Sequence, residues 1–565
     1  MNEEFTIKDY YFFLFFLFLS VLVINSGGGP DYTHYLLWSE YFLTFNLDTF
    51  SDYPKSKNGL PLVLWYYGIG LITSVLSKIF FLEGILAMKI SSALLTIINF
   101  SLFYKISKHY EISKFSFLFL FSLAYLMLPA GFYFNKYSAE TWTVFLTLLS
   151  IFLIEHDTRN FKNFKIGSMT IFGIILYFLI LIKITNVFLA TALLLIFYVK
   201  KFNKTLINKK NFHENFKILF FGSFFIIFAI IMLGIYHKLL NGNFYDSPYS
   251  YGNSEFSFFS ITNFKLKEVL FSSWHGMFLY HPFFILSIFF ILIIFIKKNY
   301  KEDNTKWILL IASIFFLIQL TIQSSQQVWW AGMGTYGSRG FVGVSILIFY
   351  ALLHINKYFK DIKLNAFSKF IVLSLLVHQT YLLSMGETNF FNYSNYFAFF
   401  ISKDSLILFS LILILLTSIF IYKKFYNFNF TETLRIIVIS MAFFAAIAII
   451  FFTHKNPYLM ISMSILFSYF FSYSIQSYDA KVREIVSNHI HKFIATIFVL
   501  LFVFSIFAQV ILFSQYQKNI KPNFISGNNF SCSDAVGGFT EINHLANYDD
   551  LKMKWLYFLK SSGCI

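Results

Sequence analysis

Asp31 is the first side chain in this sequence placed to do chemistry. It follows a hydrophobic stretch, Tyr10–Ile24, and a rigid break, Gly27-Gly28-Gly29-Pro30. It opens the run Asp-Tyr-Thr-His-Tyr-Leu-Leu-Trp-Ser-Glu. A carboxylate held at the water–lipid boundary can serve as general base toward a substrate that is itself anchored in lipid. On a helix starting near Pro30, Asp31, His34 and Trp38 share one face at i, i+3 and i+7. A plain helix N-cap is the other role open to Asp31, and a capping carboxylate can also be catalytic. Asp31 and His34 could hold a divalent cation, but two ligands do not make a site, so no metal centre is assigned.

The second group is basic. Arg339 ends the stretch Trp329-Trp330-Ala-Gly-Met-Gly-Thr-Tyr-Gly-Ser-Arg, and its guanidinium could grip a phosphate bidentately. An interfacial anchor or an ion pair is the alternative, because arginine near lipid needs a partner. Lys183 sits in Leu-Ile-Lys-Ile-Thr-Asn between two apolar runs, where it either snorkels or meets a phosphate. His275 and His281 flank a predicted helix start, a place that favours anions. Glu140 opens another predicted helix and complements its dipole. Gly332, Gly334 and Gly337 satisfy G-x-G-x-x-G, but no strand precedes them, so a dinucleotide fold is rejected. No Walker A, HExxH or paired CxxC motif occurs, which leaves ATP hydrolysis and zinc proteolysis without support.

The elements that must position these groups belong to lipid. The chain is 57% hydrophobic and only 13% charged, about half the charge of a soluble domain. Continuous apolar runs of bilayer length recur and do not alternate, so the expected fold class is all-α: a polytopic membrane helix bundle. Helices are expected near 10–26, 86–105, 115–131, 139–155, 166–182, 185–199, 218–236, 277–296, 307–324, 341–356, 370–385, 404–422, 435–453, 457–475 and 493–513. The first reads as an uncleaved anchor, since its flank carries one Lys and three acids. Most Lys and Arg fall in the loops 105–114, 156–165, 200–217, 297–306, 357–369, 423–435 and 476–492. These share one side only if Leu60–Phe80 is an interfacial helix rather than a crossing. They are then cytoplasmic, and Asp31 faces outward.

That distribution also explains the net charge of +16 without nucleic acid, because the basic residues flank apolar spans. Two regions follow: a multispan domain over 1–513, with an amphipathic first outer loop over 27–85, and a polar extracytoplasmic tail over 514–565. The tail holds the two cysteines, Cys532 and Cys564, for which a disulfide and two free thiols both remain open.

Three stretches together resemble a known family. The first is the acid after the first span, followed by Tyr53-Pro54-Lys55-Ser56-Lys57-Asn58-Gly59-Leu60-Pro61 and the aromatic run through Trp65. Phe271-Ser-Ser-Trp274-His275-Gly-Met-Phe-Leu-Tyr-His-Pro282 is the second, and the Trp329–Arg339 loop is the third. They look like the outer loops of GT-C superfamily integral membrane glycosyltransferases, including protein O-mannosyltransferases and lipid A aminoarabinose transferases. The similarity spans roughly Met1–Tyr350. It implies a polyprenyl-phosphate sugar donor and inverting transfer on the extracytoplasmic face, to a lipid, polysaccharide or protein acceptor. Many relatives carry two adjacent acids where this chain has Asp31-Tyr32, which counts against a metal role at Asp31.

In the expected mechanism Asp31 takes the acceptor proton. Arg339, with Lys183 and His275, offsets charge growing on the departing phosphate. His34, Trp38, Lys57, Trp274, Trp329 and Trp330 would border the substrate cavity. A lipid-linked glycan flippase or transporter, and a glycan polymerase or ligase, are the rival readings.

Overall fold

The computed structural model describes residues 32–50, 67–82, 84–110, 138–159, 166–202, 212–241, 264–271, 304–325 and 339–356. It also describes positions 276, 277, 281 and 291 and most of 502–515. Asp31, Lys57, Trp65, Trp274, His275, Trp329, Trp330, Cys532 and Cys564 lie outside the described residues. So do the expected spans 10–26, 115–131, 370–385, 404–422, 435–453 and 457–475.

Every regular element among the described residues is helical, as the unbroken apolar runs require. The helices are Tyr32–Thr44 (α1), Gly68–Phe80 (α2), Gly84–His109 (α3), Ala139–Arg159 (α4), Ile166–Ile182 (α5), Asn186–Phe202 (α6), Phe212–Asn241 (α7), Leu266–Phe271 (α8), Thr305–Ser325 (α9) and Val342–Asn356 (α10). Two short 3-10 helices, Leu47–Phe50 and Arg339–Phe341, precede α2 and α10. The described residues within 502–515 are helical as well.

Two of these helices, over Phe220–Leu240 and Thr305–Ser325, are long and apolar enough to cross a membrane. Shorter apolar helices run over Gly68–Ile79, Met169–Ile182, Asn186–Lys200 and Val342–His354. Helix α7 is apolar on both faces. Phe225, Ala229, Leu233 and Tyr236 turn into the core, while Phe220, Phe224, Ile227 and Ile231 are exposed. Trp307, Ile314 and Leu317 of α9 and Val503, Phe507 and Val510 are exposed too. A soluble surface rarely tolerates this much apolar side chain.

Helix α4 is the hub of the core, packed against α3, α5, α6 and α10, while α7 runs along α5 and α9 along α6 and α10. Phe103 of α3 stacks on Phe349 of α10 at 3.9 Å between centroids. Helix α2 is wedged between α1 and α5 by two glycines. A methyl group on Gly68 would stand 2.8 Å from the Leu181 carbonyl oxygen of α5. One on Gly70 would fall inside Trp38 Cβ of α1 and 2.9 Å from Ser39 N. Only a hydrogen at these positions lets the backbones come so close.

Helices α1 and α2 both end on a left-handed aromatic residue. Phe45 (φ 52) returns its N–H to the Tyr41 carbonyl at 2.5 Å. Phe81 (φ 54) caps α2 by bonding back to the Ser77 carbonyl. A bulky residue in this conformation costs about 1–2 kcal/mol, so surrounding contacts must hold it.

Candidate functional site

Helix α4 carries two buried acids, Glu140 in its first turn and Glu155 near its last. They are about 22 Å apart at 1.5 Å per residue. A carboxylate so enclosed persists as an ion only beside cations and donors. Each has them, and the two clusters mark opposite ends of the bundle.

At the first end, Ser138 caps α4 by accepting the Thr141 N–H at 3.2 Å. Glu140 Oε1, on a side chain only 2% exposed, meets Lys183 Nζ at 3.3 Å. Lys183 lies in the tight turn joining α5 to α6, and Asn186 clamps that turn. Its amide donates to the Leu179 carbonyl at 2.9 Å and to Thr143 Oγ1 of α4 at 3.0 Å. The lysine side chain is 24% exposed, and Glu140 holds its ammonium from beneath. The turn expected at Lys183 is therefore present, and its charge leans on an ion pair.

Arg339 opens the 3-10 helix that leads into α10. Gly340 lies against buried Gln319 and Gln323 of α9: a methyl there would overlap Gln323 Oε1 and stand 3.3 Å from Gln319 Nε2. Gly343 packs on Thr143 and Leu189, the first turns of α4 and α6. The Arg339 backbone and the Lys183 turn thus stand at the same end of the bundle. Helix α2 starts there as well, since Gly68 abuts the Leu181–Ile182 backbone one residue before Lys183.

Helix α1 begins at Tyr32, one residue after Asp31, the start expected from Pro30. His34 lies in its first turn. Trp38 has no exposed surface. It stacks on Phe42 at 5.6 Å and sits against Tyr41, Phe50, Tyr67 and Tyr236. The indole is thus enclosed among the described aromatic residues at this end of the bundle. Helix α2 closes over that face of α1 through Gly70. His281 is also fully buried, its backbone N–H bonded to the Met277 carbonyl at 2.9 Å.

The cluster at the other end was not foreseen. Glu155 Oε1 accepts from Tyr110 at 2.7 Å, from Lys200 at 2.9 Å and from Tyr350, while Oε2 meets His109 Nε2 at 2.9 Å. His354 Nε2 stands 2.6 Å from the Tyr110 hydroxyl. Burial, reinforced by the charges of Tyr350 and Glu155, holds the Tyr110 phenol well above its ordinary pKa, so it remains a neutral donor. The contributing helices are α3, α4, α6 and α10, at the ends that lead into the Lys- and Arg-rich loops. A signal did exist in the sequence: an acid near the end of an apolar run needs a partner. What it lacks is any indication of which residues those partners are.

No protein-family model, no curated protein and no solved structure matches this chain.

Proposed function

We propose that this protein is a multispan membrane glycosyltransferase that moves a sugar from a polyprenyl-phosphate donor to an acceptor on the extracytoplasmic face. The carrying observation is the convergence at one end of the bundle. The Lys183–Glu140 ion pair, the turn bearing Arg339 and the start of α2 all gather there. The exposed apolar faces of α7 and α9 are suited to lipid. The loop charges put the Lys183 end outside. Fifteen helices, two regions and an active site within the first outer loop belong to this same reading.

In it, Asp31 accepts the proton of the acceptor hydroxyl as that oxygen attacks the anomeric carbon. The bond to the lipid phosphate breaks, and Arg339 and Lys183 stabilise the departing phosphate. That leaving group needs no protonation, so one carboxylate suffices where glycoside hydrolysis uses two. Asp31→Asn should abolish release of polyprenyl phosphate from a panel of undecaprenyl-phosphate-linked hexoses and pentoses, with the protein still folded and inserted. Near-normal turnover would remove Asp31 as the base.

Lys183 and Glu140 make opposite predictions. Lys183→Met removes a charge-assisted contact of about 1.5–3 kcal/mol. It should weaken undecaprenyl phosphate binding by roughly 10–100-fold. Glu140→Gln frees the ammonium from its competing carboxylate and should tighten that binding several-fold. If the two variants shift affinity in the same direction, Lys183 is not the phosphate ligand.

The buried acids of α4 favour a second reading, transport, because charges within apolar helices mark solute paths. Both acids lie near the helix ends and already have lysine partners, so transfer is the better account. Flux of a lipid-linked glycan without release of lipid phosphate would reverse that preference.

A further inference from the structure

We propose that Gln509 and Gln515 are positioning residues that lock the first outer segment onto the bundle. Resting on the transferase reading, the lock holds α1, the helix that follows Asp31 in the sequence. Both amides are satisfied at each end. Gln509 Oε1 accepts from the Tyr67 hydroxyl at 3.1 Å, and its Nε2 donates to Tyr177 at 2.5 Å and to Ser505 at 2.7 Å. That uses the acceptor and both donors of a primary amide. Gln515 Oε1 accepts from Tyr41 at 2.7 Å, and its Nε2 donates to the Phe45 carbonyl at 2.7 Å.

The partners are what give these bonds their meaning. Tyr67 is the residue on which α2 starts. Phe45, just past the end of α1, is held in a left-handed conformation. Burial pushes the Tyr41 phenol up, so it stays a donor. Two amides about 9 Å apart along the chain therefore grasp the last turn of α1 and the N-cap residue of α2. Phe507 adds a ring contact to Phe45 at 6.3 Å. Tyr177 of α5 joins the same chain through Ser505 at 3.0 Å, so α1 and α2 are tied to the helix that ends beside Lys183. Apolar packing would hold α1 and α2 against the bundle in several registers. Directional bonds at both helix ends select one of them.

The test compares the full chain in lipid nanodiscs with Gln509→Met and Gln515→Met, which keep side-chain volume and remove the bonds. Amide hydrogen exchange should accelerate at least about tenfold within 32–50 and 67–82 and stay unchanged in α9 and α10. Turnover of the undecaprenyl-phosphate-sugar panel should lose kcat while KM for the donor holds, because Lys183 and Arg339 are untouched. Gln515, on a less enclosed part of the helix, is the variant of choice if Gln509→Met does not fold. Unchanged exchange in 32–50 and 67–82, or equal acceleration in every helix, overturns the positioning role. Local acceleration with undiminished kcat keeps the lock and instead sinks the reading that places the base on this segment.

Discussion

Glu155→Leu should destabilise the protein by about 3–5 kcal/mol, the usual cost of stripping one partner from a buried charge pair. The loss arises from what remains. Lys200, only 12% exposed, would keep its charge without the carboxylate at 2.9 Å. Tyr110, Tyr350 and His109 would lose their common acceptor. In thermal unfolding of the purified protein the midpoint should fall by about 2–4 °C, given the chain's size. Glu155→Leu combined with Lys200→Met should recover much of that loss, because removing both charges leaves neither orphaned. If the single variant melts within about a degree of the parent, the four helices are not held by this carboxylate. If the double variant is worse than either single, the pair is not what couples α4 to α6.

Gly70→Ala is expected to be the most damaging small change in the α1–α2 segment. The new methyl would meet Trp38 Cβ together with backbone atoms, Trp38 C and Ser39 N at 2.9 Å. None of these can swing aside as a side-chain tip can, so α1 and α2 must part. Overpacking of this kind costs about 1–3 kcal/mol. A displacement of about 1 Å at a reacting group can cost a hundredfold in rate, so the proposed sugar transfer should fall by about that factor. Gly84→Ala is the matched control. Its methyl would meet side chains alone, the Leu36 tip at 3.3 Å and Ser39 Oγ at 3.9 Å, and should leave turnover within about twofold. Equal activity in the two variants would mean that the α1–α2 contact does not govern the site.

Much of the helical layout was legible from apolar runs. The expected 166–182 coincides with α5, and 307–324 and 341–356 fall within two residues of α9 and α10. Helix α4 runs four residues beyond the expected 139–155, and α7 extends past 218–236 at both ends. In both cases backbone bonding continues into the polar flanks that hydropathy excludes. The stretch Leu60–Phe80, read as an interfacial helix because of the loop charges, contains α2 at Gly68–Phe80.

The site was legible residue by residue and not as an arrangement. Lys183 stood out as a cation between apolar runs and Glu140 as a helix-start acid, yet nothing along the chain joins them. The same holds for Gln509 and Gln515. Their partners, Tyr67 and Tyr41, lie more than four hundred residues away.

By itself the sequence determined helix type, approximate helix ends and the sites where charge interrupts apolar surface. Each of those follows from interactions within about a turn of the chain or from exclusion of polar groups from lipid. Only tertiary structure decided which acid meets which lysine, that Trp38 is enclosed, and that α2 fits between α1 and α5. Those outcomes depend on close approach between segments remote in sequence. They turn on a hydrogen at Gly70 or an amide at Gln509, and neither periodicity nor composition encodes the partner.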